Sequence, residues 1–182
     1  MNDVFPILAT ERLRLREITL DDTPQLFAIH SDAEAMKWFG VDPIREPGEA
    51  AALIETFAGW RKAPNPGTRW GIERASDEVL IGTCGLFGWN RKAQSCAIGF
   101  ELARAAWGEG FMQEALTAAI GWGFEAMDLN RIGALVHPDN THSIRLIVRL
   151  GFQREGLLRE VARWNGRFHD LAQYSLLRRE FG

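Results

Sequence analysis

Gly108 and Gly110 lie one residue apart in the run Trp107-Gly108-Glu109-Gly110-Phe111-Met112-Gln113-Glu114-Ala115. That run joins a strand-like segment to the most helical stretch of the chain. Two glycines at the mouth of a helix let the backbone approach a ligand closely. The first-turn N–H groups of the helix have no internal partner, and the helix dipole favours negative charge beside them. A strand–glycine loop–helix unit in mid-chain therefore predicts a backbone cradle for phosphate. The other reading of the same residues is a strand-to-helix turn whose glycines serve packing.

The spacing of apolar residues sets the elements around the loop. Thr10–Ile18 alternates apolar and charged positions, as a half-buried strand does. Thr19 with Asp21 and Asp22 reads as a helix N-cap and acidic first turn, and a short helix continues through Leu26, Phe27 and Ile29. Asp32–Phe39 reads as a second short helix. Pro47 opens a third that runs to about Trp60. A turn over 62–67 precedes strands at Arg69–Arg74, Val79–Trp89 and Ser95–Leu102, with hairpin turns at 76–78 and 90–92. The long helix Glu109–Met127 carries Phe111, Ala115, Ala119, Trp122 and Ala126 near helical spacing. A strand at Arg131–Val136, a helix at Asn140–Leu150 closed by Gly151, and strands at Phe152–Val161 and Leu171–Leu177 complete the chain. This order predicts an α+β fold in one domain over 1–182, with a mixed, mostly antiparallel sheet flanked by helices.

Composition excludes several classes. The chain has 182 residues, 46% of them hydrophobic and 25% charged, so it can bury a full core without disulfides or metal. Its net charge of −3, with both signs interspersed, gives no field for nucleic acid. Cys84 and Cys96 have no CxxC partner and read as buried small hydrophobes, although neighbouring strands would leave a disulfide open. The histidines show no ligand-pair spacing, so no metal is expected. No apolar run approaches the roughly 18 residues of a membrane helix, and no signal-peptide pattern is visible. A cytoplasmic location is expected.

Several motifs in order resemble the GNAT superfamily of acyl-CoA-dependent N-acyltransferases, and within it the ribosomal-protein N-acetyltransferase (RimJ/RimL-like) branch. They are Leu8-Ala9-Thr10-Glu11-Arg12-Leu13-Arg14-Leu15-Arg16, Ile81-Gly82, Ile98-Gly99-Phe100-Glu101-Leu102, the glycine loop, Asn130-Arg131-Ile132, Pro138-Asp139-Asn140-Thr141-His142-Ser143, Leu150-Gly151-Phe152, and Asn165-Gly166 with Asp170 and Tyr174. The resemblance spans nearly the whole chain. Two positions depart from the superfamily pattern. Ala105, beside Arg104, stands where Arg or Gln is usual, and Ala97 stands where many members carry a glutamate.

The resemblance implies acetyl-CoA as co-substrate, held in a cleft where strands Ser95–Leu102 and Arg131–Val136 splay apart. Amides of Gly108, Glu109, Gly110, Phe111 and Met112 would hold the pyrophosphate. The pantetheine would lie along the strand ending at Leu102 and Ala103, and an N–H between Phe100 and Leu102 would polarise the thioester carbonyl. Asn140 and Ser143 occupy the positions that meet the cofactor arm and its thiol. Asn140 also suits an N-cap, and the Ser143 hydroxyl can donate to sulfur. Glu101, on the same strand face as Ala97, is the leading base, directly or through water; the other reading is an amine-binding or hydrogen-bonding carboxylate at the strand end. Glu73 is a weaker alternative. His137 can line the acceptor mouth, and His142 should be exposed. His169 and Asp170 alternate faces and make a poor dyad. Arg145 and Arg149 either reach the ribose phosphate or form a solvated face. Most tryptophans should be core, one or two shaping an acceptor slot.

The implied activity is acetyl transfer to a primary amine, either a protein N-terminus or a small molecule, by direct attack in a ternary complex. A catalytically idle acyl-CoA sensor of the same fold is the alternative. A homodimer remains open. A dinucleotide-binding dehydrogenase is excluded, because no GxGxxG follows an early strand.

Overall fold

The computed structural model describes residues 4–62 and 67–182. The strands are β1 (Leu8–Ala9), β2 (Leu13–Arg16), β3 (Thr68–Arg74), β4 (Val79–Asn90), β5 (Ser95–Leu102), β6 (Arg131–Val136), β7 (Gln153–Trp164) and β8 (Arg167–Leu177). The helices are α1 (Thr23–His30), α2 (Ala33–Met36), α3 (Pro47–Trp60), α4 (Phe111–Ala126) and α5 (Thr141–Arg149). All eight strands form one sheet in the order β1-β2-β3-β4-β5-β6-β8-β7. Every pairing is antiparallel except β5 with β6. The mixed, mostly antiparallel sheet is the one expected. Most of the expected turn over 62–67 lies outside the described residues.

The two faces of the sheet carry different layers. Cys84, Leu86, Cys96, Ile98, Ile132, Ala134, Ala172, Tyr174 and Leu176 belong to the main core, together with α4 and Ile147 of α5. α4 packs its buried Ala115, Leu116, Ala119, Ile120 and Phe124 there. Ala residues at helical spacing keep that surface thin enough for close helix–sheet packing. Tyr174, 4% exposed, is part of this core. On the opposite face, α1 and α3 form a smaller cluster of Leu26, Ala50, Ile54 and Phe57 with Ile18 and Leu80.

α3 starts at Pro47, where the missing N–H leaves no bond unmade and φ is preset. The segment after Thr19 differs from the expected single helix. Leu20–Asp22 forms a 3-10 turn, with the Thr19 N–H donating to Asp22 Oδ2 at 2.9 Å, and α1 begins at Thr23 with Pro24 in its first turn. β7 and β8 extend to Trp164 and from Arg167, joined at Asn165-Gly166. Both turn residues have positive φ, 48° and 71°, the geometry that matches hairpin twist. Cys84 and Cys96 are free and buried, and burial pushes both thiols up to about 12.

Candidate functional site

β5 and β6 pair over only Ser95/Arg131, Cys96/Ile132 and Ala97/Gly133. Both strands run on to Leu102 and Val136, so they diverge and leave a wedge-shaped gap. The Ala103 N–H bonds to the Ile81 carbonyl at 2.8 Å. Antiparallel ladders alternate bonded and non-bonded pairs, so the N–H and C=O groups of Phe100 and Leu102 point away from β4, into the gap. A bound extended arm could pair with this edge as an extra strand. Ala103 differs from its expected part: its N–H goes to Ile81, and its carbonyl accepts from Ala106 at 2.9 Å. It can hold nothing further by N–H.

The glycine loop stands at the wide end of that gap. Gly108 and Gly110 have φ of +84° and +80°, a region that a Cβ strongly disfavours. Beyond Gly108 a Cβ would meet nothing within 4 Å, so the loop's outer side is open. The first regular helical bond is from the Glu114 N–H to the Gly110 carbonyl, 3.1 Å. Among the described residues, the amides of 108–113 have no partner. This is a donor set that fits a diphosphate. Sequence reasoning missed how the loop is held. Arg12 donates to the Glu109 carbonyl at 3.0 Å and to Glu114 at 2.7 and 2.8 Å, and Thr10 donates to Glu114 at 2.6 Å. The first turn of α4 is thereby pinned to the β1–β2 turn. Arg104, beside the anomalous Ala105, pairs with Asp32 at 2.5 Å, and Asp32 in turn caps α2. Trp107 is 48% exposed and donates its indole N–H to the Leu102 carbonyl at 2.8 Å; it braces the end of β5 rather than packing beneath the loop.

Asn140 caps α5, its Oδ1 accepting the Ser143 N–H at 3.2 Å. Among the described residues, no hydrogen bond uses its side-chain amide nitrogen or the Ser143 hydroxyl. His142, Arg145 and Arg149 are exposed.

Glu101 is 5% exposed, and its carboxylate has three side-chain partners. It accepts from Arg69 and Thr83, and its Oε1 lies 3.1 Å from His30 Nε2. Arg69 also donates to Thr83 at 2.7 Å. Burial alone would raise the carboxyl, but Arg69, His30 and Thr83 outweigh it and hold Glu101 below the usual carboxylate range. A buried, lowered carboxylate held by three partners is a poor proton acceptor. The geometry therefore speaks against Glu101 as the base and for the hydrogen-bonding carboxylate at the strand end. Its three partners come from α1, β3 and β4. Glu73 is likewise tied to Arg16 and Arg14.

The sheet face that carries Glu101 continues across the gap onto Leu135 and His137, because Ala97 and Gly133 are paired. Leu135 is 50% exposed. Beyond β6 an aromatic group assembles from three segments. Trp38 stacks on His137 at 4.1 Å, and Trp164 stacks on His169 at 3.5 Å. The two histidine rings lie 5.4 Å apart. The Trp164 indole donates to the Lys37 carbonyl at 3.2 Å, and the Asn165 N–H donates to Asp42 at 2.5 Å. Trp38 and Trp164 thus form an aromatic wall at the mouth, while Trp70 is wholly buried.

A splayed parallel pair in an otherwise antiparallel sheet, with free amides at the following helix, is the arrangement that the resemblance to acyl-CoA-dependent N-acyltransferases implies. The GNAT acetyltransferase domain model matches residues 12–153; the chain belongs to that family. It is 39% identical over 175 residues to the Bacillus subtilis N-acetyltransferase YoaA, covering 96% of this chain and 98% of that one. It is 36% identical over 76 residues to the Escherichia coli ribosomal protein uS5-alanine N-acetyltransferase, covering 42% and 39%. The crystal structure of a GNAT-family acetyltransferase from Bacillus anthracis superposes with a TM-score of 0.84 at 22% identity, over 96% of this chain and all of that one. The RimJ/RimL-like resemblance holds, and the chain is an acetyl-CoA-dependent acyltransferase. Among the described residues no helix is long and apolar enough to cross a membrane.

Proposed function

We propose that this chain moves an acetyl group from acetyl-CoA to a primary amine, by direct attack within a ternary complex. The observation that carries this reading is the gap. β5 and β6 part after Ala97 and Gly133, and the free edge of β5 leads to the unpartnered amides of the glycine loop. Bound acetyl-CoA supplies a thioester with an electrophilic carbonyl and a thiolate leaving group. The amides of 108–112 hold its diphosphate. The Phe100 and Leu102 edge aligns the arm, and one of those N–H groups polarises the carbonyl. Asn140 steadies the arm at the start of α5. The Ser143 hydroxyl donates to sulfur as the C–S bond breaks. Glu101 with Arg69 positions the wall against which the acceptor docks.

The acceptor is a protein N-terminal amine or a small amine. The partial likeness to a uS5-alanine N-acetyltransferase supports the first. One observation favours a catalytically idle sensor instead: Glu101 and Glu73 are both held in ion pairs, with Arg69 and with Arg16. Thiol release separates the two readings. With acetyl-CoA and a panel of peptides, amino acids and polyamines, selective acceleration by one class is expected. Tight acetyl-CoA binding with no acceleration by any amine would favour the sensor.

A further inference from the structure

With Glu101 and Glu73 tied off, the face toward the acceptor still holds two histidines whose hydrogen bonds fix their tautomers. His169 Nε2 lies 3.3 Å from the Trp164 carbonyl. A carbonyl only accepts, so Nε2 carries the proton and Nδ1 bears the lone pair. His137 is held the other way round. Its Nδ1 accepts the Asp139 N–H at 3.1 Å, which leaves Nε2–H as a donor. The ring of His169 is clamped by its 3.5 Å stack on Trp164, and His137 by its 4.1 Å stack on Trp38. Among the described residues, no hydrogen bond uses His169 Nδ1 or His137 Nε2.

Register places both rings over the working face. Leu135 pairs with Gln173, so His169, four residues before Gln173 on β8, shares its side of the sheet. His137 shares the side of Leu135, and through the Ala97/Gly133 pair that of Glu101. One ring thus presents an acceptor and its neighbour a donor, 5.4 Å apart, beyond the open end of β6.

We propose that His169, through Nδ1, is the general base for the acceptor amine, with His137 Nε2–H orienting the acceptor. This rests on the amine-acetylation reading above. The ammonium loses two protons in all. The first passes to Nδ1 and then to solvent, freeing the nitrogen lone pair. That pair attacks the thioester carbonyl carbon, the C–S bond breaks, and the second proton ends on the departing sulfur. Burial, aided by nearby His169, holds His137 below the usual histidine range against the pull of Asp139 and Asp170, so His137 stays neutral while it donates. Asp139 Oδ2 lies 3.9 Å from His137 Nδ1; the other charged groups nearby are Lys37 over the Trp38 ring and Asp42 at the hairpin tip.

The test uses the full chain and the best amine found by thiol release. His169→Gln should lower turnover by about 100-fold or more near pH 7, the scale of general-base catalysis, with acetyl-CoA affinity unchanged by calorimetry. The loss should shrink as pH rises and the amine deprotonates unaided. His137→Gln should act chiefly on the acceptor's KM. Long-range nitrogen NMR on the wild type should find His169 protonated at Nε2. An active wild type whose His169→Gln variant keeps the same pH profile, scaled or not, overturns this inference alone, as does an Nδ1–H tautomer. A wild type that binds acetyl-CoA yet accelerates with no amine overturns the function and this inference together.

Discussion

At the scale of the residue, the Glu101–Arg69 pair shows how a charge enters a core. Two ions leaving water cost several kcal/mol each, which mutual attraction repays only with full hydrogen bonding. Thr83 and His30 complete that bonding around Glu101, and Phe39 and Phe57 lie against the Arg69 guanidinium. Removing one charge strands the other. Glu101→Gln should therefore lose about 3 kcal/mol of stability in urea unfolding at neutral pH. The pH sign follows from the lowered carboxyl. The pair's contribution is complete above the unfolded value, about 4.3 for Glu, and disappears as pH falls through the lower folded value. Wild type should lose more stability than Glu101→Gln between about pH 5 and pH 2. Parallel losses in the two proteins would remove Glu101 from the acid response.

The loop and first turn of α4 act as one element. Arg12, Thr10 and Glu114 hold its start, and Gly108 and Gly110 supply the positive φ that turns the amides outward. Gly108→Glu places a Cβ where the backbone disfavours it by roughly 1–2 kcal/mol and adds negative charge beside a diphosphate cradle. Acetyl-CoA affinity should fall by about 100-fold, equivalent to roughly 2.7 kcal/mol, while the circular dichroism spectrum stays native. Calorimetry that returns the wild-type affinity would take the diphosphate away from this loop. Elements of this kind were legible in sequence because they carry local chemistry: Pro47 starts α3, alternation bounds β5, and Asn140 caps α5. The β7–β8 hairpin was read too short. Most of β7 is exposed on both faces, so no alternation marks its end. Asn165-Gly166 was the available signal, the strongest short-range mark of a hairpin. The environment of Glu101 was not legible at all. His30, Arg69 and Thr83 are far apart in sequence and meet only through packing.

Over the whole molecule, the two faces of the sheet are unequal. The α4–α5 side shares one large core that takes in residues from β2 to β8. The α1–α3 side holds a small cluster of six buried residues, fastened to the sheet through His30 to Glu101 and to the hairpin through Trp164 and Asp42. The proposed acceptor wall draws on this thinner layer, and the proposed diphosphate cradle on the thicker one. Regions with few buried apolar contacts open at lower free energy than the global value. Native-state hydrogen exchange should therefore show α1 and α3 amides opening below the free energy reached by β4 and α4. Global opening alone for all four elements would mean that the two layers unfold as one unit, and acceptor entry would then need no loosening of this side. A separate, lower opening would place the mobility that admits an amine on the face where His169 and Trp38 stand, and leave the acetyl-CoA side rigid.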